Sequence, residues 1–108
     1  MSKVYIAGKI TGTEDYMERF SKAETYLNDN GYQGKVVNPA KINAGLPHES
    51  TSYQDYIHIG LSMLRTCDTI YMLKGWEESR GASLELQYAI TLDYQVLYEE
   101  EVSYGDGI

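Results

Sequence analysis

Five consecutive residues, Thr69-Ile70-Tyr71-Met72-Leu73, carry no charge and no turn-forming side chain, and this run constrains the fold more than any other feature. A strand with one wet face alternates polar and apolar residues. A strand that does not alternate is covered on both faces, the condition of an inner strand in a parallel sheet. Val4-Tyr5-Ile6-Ala7 has the same character. Val36-Val37, halted by Asn38-Pro39, and Gln95-Val96-Leu97-Tyr98 read as two further strands.

Between these runs the period changes to that of a helix. Thr13 is placed to cap a helix with Glu14 and Asp15 in its first turn and Tyr16, Phe20, Ala23 and Leu27 on one face, stopped at Asn30-Gly31. Ser52 with Asp55 three residues on is a capping-box start to a helix running to Cys67, with Ile57, Leu61 and Leu64 as its apolar face. A third helix spans about Gly81 to Leu92 and buries Ala82, Leu86, Ala89 and Ile90. Ala40 to Thr51 reads as a loop, long for so small a domain and therefore a candidate for function. Lys74 to Arg80 reads as a polar loop carrying Trp76.

The order β-α-β-loop-α-β-α-β predicts an α/β fold: a flavodoxin-like or Rossmann-like parallel sheet of four to five strands with helices on both faces. In such sheets ligands bind beyond the carboxyl ends of the strands, where the strand order reverses. Here that rim comprises residues 8–13, 38–51 and 74–81. One domain over residues 1–98, followed by an acidic tail at 99–108, accounts for all 108 residues. A chain this short has no second domain to wall a deep cleft, so the expectation is a homodimer or higher homo-oligomer.

Charge excludes one class of partner. Sixteen acidic against nine basic side chains give a formal net charge of −7, with no basic stripe for a nucleic-acid backbone. The chain has one cysteine, Cys67, so no intrachain disulfide is possible. No apolar run approaches the roughly 20 residues needed to span a bilayer, and Met1 leads straight into a charged, strand-like segment. The compartment expected is the cytoplasm, with no membrane partner. Eleven tyrosines against one Phe and one Trp point to a wet aromatic surface rather than a dry core.

Two segments can carry chemistry. Ala7-Gly8-Lys9-Ile10-Thr11-Gly12 joins the first strand to the first helix. Its glycines let backbone amides approach an anion, and they equally suit a tight turn that binds nothing. Trp76-Glu77-Glu78-Ser79-Arg80-Gly81-Ala82-Ser83-Leu84-Glu85 opens the third helix. Ser79 is either a helix cap or a ligand contact. Glu85, in the first turn or just beyond, is either an acid favoured by the helix dipole or a reactive carboxylate. Trp76 either covers a ligand or packs on its own loop. His48 and His58 stand ten apart with no partner at metal-ligand spacing, so no metal site and no cofactor are expected.

Tyr5-Ile6-Ala7-Gly8 together with Ser79-Arg80-Gly81-Ala82-Ser83-Leu84-Glu85-Leu86-Gln87-Tyr88-Ala89 resembles the nucleoside 2-deoxyribosyltransferase superfamily, which includes the 2′-deoxynucleoside 5′-phosphate N-hydrolases. Val37-Asn38-Pro39-Ala40, Gly75-Trp76-Glu77 and Ser79-Arg80-Gly81-Ala82 look like its small DUF4406 branch. The resemblance implies that Glu85 attacks the anomeric carbon of a deoxyribose and expels the base, as carboxylate nucleophiles do. It implies that Ser79 contacts a 5′-phosphate and that Tyr5, Gly8, Lys9, Ile10, Gly12, Asn38, Trp76, Arg80 and Gly81 border the same pocket. It also implies dimers or larger assemblies in which a neighbouring chain helps close the site, and a mainly structural Asp68. Three positions depart from the catalytic members' pattern: Gly60 stands where they carry an aspartate, and Ser83 and Gln87 stand where they carry glycines. The function expected is cleavage or transfer of the N-glycosidic bond of a nucleoside or nucleoside 5′-monophosphate. The alternative is a protein that sequesters or senses a nucleotide in the same pocket without turnover.

Overall fold

A computed structural model describes residues 2–99. Among the described residues four strands form one sheet: β1 (Val4–Ala7), β2 (Val36–Val37), β3 (Thr69–Met72) and β4 (Gln95–Tyr98). Their order is β2-β1-β3-β4 and every pair is parallel, so the four-strand end of the expected range is the one realised. Val4 pairs with Val36 on one side of β1 and with Thr69 on the other. The two non-alternating runs are thus the two inner strands, for the reason that their sequences require.

Successive residues of a strand face opposite ways, and here they enter two separate apolar layers. Val4, Ile6, Tyr71 and Leu73 pack with Phe20, Ala23 and Leu27 of α1 (Tyr16–Leu27) and with Ala40. Tyr5, Ala7, Ile70 and Met72 pack with Leu64 of α3 (Tyr53–Leu64) and with Ala82, Leu86 and Ala89 of α4 (Arg80–Thr91). Helices therefore cover both faces, and all described strands belong to one sheet. Tyr5 and Tyr71 are buried at 2% and 0% exposure. Tyrosine-rich composition pointed to a wet aromatic surface rather than a dry core, but these two lie in the core because both sit on the inner strands, where position outweighs the polar hydroxyl.

Local differences have local causes. The first helix begins at Tyr16 behind Asp15, which makes no side-chain cap. Thr13 instead donates its hydroxyl to the Ile10 carbonyl, 3.0 Å away, closing the turn after β1. The segment expected to be an open loop opens with α2 (Pro39–Asn43), started by Asn38 as cap and Pro39 in its first turn, and also contains a short 3-10 turn, His48–Ser50. Ser52 and Asp55 form the reciprocal capping box at the head of α3. Ile90, expected inside, is 52% exposed. Glu99, assigned to the tail, is buried and accepts a 2.7 Å hydrogen bond from the Lys74 amide. The rest of the acidic tail lies outside the described residues.

Candidate functional site

Strand order reverses between β1 and β3, and the chain leaves these two strands on opposite faces of the sheet. The divergence opens a gap at their carboxyl ends. It is occupied by a cavity of about 590 Å³, walled by the turn after β1, by α1, α2 and α3, and by the start of α4. Residues of one chain line all the walls named here.

Glu85 lies in its wall. It is in the second turn of α4, since no acid occupies the first turn, so the dipole of the first turn does not explain it. Tyr5, at the sheet's centre, donates its hydroxyl to Glu85 Oε2 over 2.7 Å. Glu85 keeps part of its surface open to the cavity, yet protein atoms crowd most of it. Burial pushes its carboxyl up to about 7, while the hydrogen bond from Tyr5 acts in the opposite direction. Tyr5 itself is raised well above the ordinary phenol range, first by its own burial and then by the adjoining Glu85 charge. It therefore remains a proton donor to the carboxylate at any physiological pH.

Gly60, on α3, makes this pair possible. A Cβ at Gly60 would stand 2.5 Å from Glu85 Oε2 and 3.1 Å from the Tyr5 hydroxyl. A glycine inside a helix costs about 1 kcal/mol relative to alanine, and here the missing side chain is the space Glu85 fills. The other two departures from the catalytic pattern lie apart from the cavity wall: Gln87 is exposed on α4 and Ser83 does not line the cavity. Gly8 is a second close approach, with a Cβ there falling 2.7 Å from Leu73 Cδ1.

Ser79 caps α4 by accepting from the Ala82 amide at 3.1 Å, and it lines the cavity with Arg80 and Gly81. The Arg80 and Gly81 amides, as the first of the helix, have no acceptor within it. Lys9 and Ile10 line the opposing turn with Gly8, and Lys9 Nζ meets Glu78 Oε1 at 3.1 Å across the mouth. Eight of the expected positions therefore share one cavity: Tyr5, Gly8, Lys9, Ile10, Ser79, Arg80, Gly81 and Glu85. Three stand apart. Gly12 occupies an exposed turn with φ of 83°. Asn38 is buried, with Nδ2 donating to Glu24 Oε1 and Oδ1 accepting from the Lys41 amide. Trp76 packs on the α3–α4 layer, 6.4 Å centroid to centroid from Tyr98.

The wall also contains Asn43, Tyr53 and Tyr56, which the sequence alone does not single out, and His48, which it offers only as a metal-ligand candidate without partners. Their signal was present in part. Tyr53, Tyr56, Ile57 and Gly60 recur at helical spacing and form one face of α3. His48 lies in the long segment whose length marked it for function. Its Nδ1 is hydrogen-bonded to the Tyr56 hydroxyl, and the two rings stack at 6.2 Å.

Fold and site together define an α/β parallel-sheet protein with one half-buried carboxyl in a cavity at the topological switch point. The chain belongs to the family described as Domain of unknown function (DUF4406), which it matches over residues 2–98. No curated protein and no solved structure matches it. Among the described residues no helix is long and apolar enough to cross a membrane.

Proposed function

We propose that this protein cleaves or exchanges the N-glycosidic bond of a nucleoside or nucleoside 5′-monophosphate, with Glu85 as nucleophile. The observation that carries the reading is the Glu85 carboxyl held by Tyr5 in a switch-point cavity of about 590 Å³, a volume within the roughly 300–1,000 Å³ typical of small-molecule sites. An oxygen of ionised Glu85 attacks the anomeric carbon, the carbon–nitrogen bond breaks, and its electron pair leaves with the base. Water or a second base then takes the glycosyl group and frees the carboxylate. Poor solvation leaves the ionised form reactive, and a carboxyl titrating at about 7 is ionised in a large share of molecules at neutral pH. The Ser79 hydroxyl and the free amides at the head of α4 suit a 5′-phosphate, as helix N-termini do.

A second reading rests on the same burial. A carboxyl lifted to about 7 is also neutral in a large share of molecules, and a neutral acid can donate a hydrogen bond to a ligand that is bound and never cleaved. Gly60, where catalytic members of the resembled superfamily carry a carboxylate, favours this silent binder. Mass spectrometry of free base, run beside thermal shift with nucleosides and their monophosphates, separates the two. The enzyme reading expects released base that falls by at least about a thousandfold in Glu85→Gln. A melting shift with no base over hours would leave the binder standing.

A further inference from the structure

A glycosidic bond to a nitrogen base breaks slowly because a neutral base leaves as an anion unless a proton reaches it. A carboxylate nucleophile supplies none. The cavity must then hold a proton donor on the side where the base departs.

Tyr56 and His48 meet that requirement by position. Tyr56 lies four residues before Gly60 on α3, one turn and about 6 Å along the axis on the same face. The Gly60 backbone abuts Glu85 Oε2. Helical side chains lean toward the helix N-terminus, so the Tyr56 ring extends away from Gly60 and toward residue 48, whose imidazole it meets. Tyr56 and Glu85 both line the same cavity, with the Tyr56 hydroxyl set toward the His48 side and Glu85 against Gly60.

We infer that Tyr56 is the general acid for the departing base and that His48 positions it and replenishes its proton, an inference that rests on the glycosidic reading above. As the carbon–nitrogen bond breaks, the Tyr56 hydroxyl proton passes to a ring nitrogen of the base, and protonated His48 gives its Nδ1 proton to the Tyr56 oxygen. When water attacks the glycosyl-Glu85 ester, the water proton returns through Tyr56 to His48, and the Glu85 carboxylate is freed. The sum is nucleotide plus water giving sugar phosphate plus neutral base. A dyad of this kind takes the part that a second carboxylate would otherwise play, which is how the site can spare a carboxylate at position 60.

The test uses two substrates, 2′-deoxyguanosine 5′-monophosphate and its N7-methylated form, whose base is already cationic and leaves without a proton. Tyr56→Phe and His48→Ala should lower base release from the unmethylated substrate by about a hundredfold or more, while release from the methylated one stays within about threefold of the parent. Glu85→Gln should abolish both. Equal losses on the two substrates, or no loss in Tyr56→Phe, would overturn the assignment while leaving Glu85 in place as nucleophile. No release from either substrate by the unaltered protein would overturn it together with the glycosidic reading.

Discussion

Two carboxylates stand at opposite ends of the sheet and meet opposite treatment. Asp68, just before β3 at its amino end, is exposed, accepts from the Lys3 amide at 2.9 Å and from the Thr69 hydroxyl at 3.0 Å, and is held below its ordinary range chiefly by the backbone hydrogen bond. Glu85, at the carboxyl end, has one donor, Tyr5, and too little water, and it is raised to about 7. The chemical group is the same. Supply of donors and solvent decides whether it is settled as an anion or left close to the point of changing charge. The settled one ties the chain's first strand to β3, and the unsettled one faces a cavity.

The largest test of that contrast is the pH dependence of stability. Glu85 titrates at about 7 in the folded chain against 4.5 for the free group, so between those values the folded state holds a proton the unfolded state has lost. Stability contributed by Glu85 is therefore greatest below about pH 4.5 and is lost as pH rises through 7. A shift of this size corresponds to about 3 kcal/mol as an upper bound. Glu85→Gln has no such group, so its stability relative to the parent should climb by up to that amount from pH 4 to pH 8, read by urea unfolding. Parallel curves for the two proteins would break the contrast.

Gly60→Ala sharpens it next. The added methyl enters the 2.5 Å gap to Glu85 Oε2. The helix gains about 1 kcal/mol from alanine, and overpacking costs about 1–3 kcal/mol. The expected net effect is a loss of about 1 kcal/mol at pH 5, with Glu85 displaced from Tyr5 toward water. Its carboxyl should then fall back toward the ordinary range and flatten the pH slope just described. A variant more stable than the parent with the slope intact would show that α3 has room there and that Gly60 does not set the site.

Much of this was legible because strand and helix periods are local. Val4–Ala7 and Thr69–Leu73 announced inner strands by failing to alternate, and the interleaved helices then fixed a parallel sheet and the end at which a cavity could form. Spacing placed Glu85 and Ser79 near the head of one helix but left each between a structural and a reactive part, and only the family resemblance gave them a site role. Ile90 was misplaced because Ala82, Leu86 and Ala89 already define the inward stripe of α4, and Ile90 falls about 80° around the helix from Ala82. The pairing of Tyr56 with His48 was not legible, since no local pattern says that a 3-10 turn will bring an imidazole against a tyrosine eight residues later. Gly60 was read as a missing carboxylate. Only the packing of α3 on α4 shows that its absent side chain makes room for Glu85.

The smallest effect belongs to Asp68, and its sign should be the reverse of Glu85's. A carboxylate depressed by hydrogen bonds contributes stability that is present above the free group's 3.8 and is lost as pH falls through the lower folded value. Asp68→Asn keeps an oxygen that can accept from the Lys3 amide and removes only the charge. Because the site is exposed and screened, the loss at pH 7 should be well under about 1 kcal/mol, shrinking toward nothing in strong acid. Urea midpoints at pH 7 and pH 2.5 measure it. A loss of several kcal/mol, or one that grows on acidification, would mean that Asp68 is not settled by its two donors. The amino end of the sheet would then hold a strained carboxylate of its own, and burial at the carboxyl end could no longer be what sets Glu85 apart.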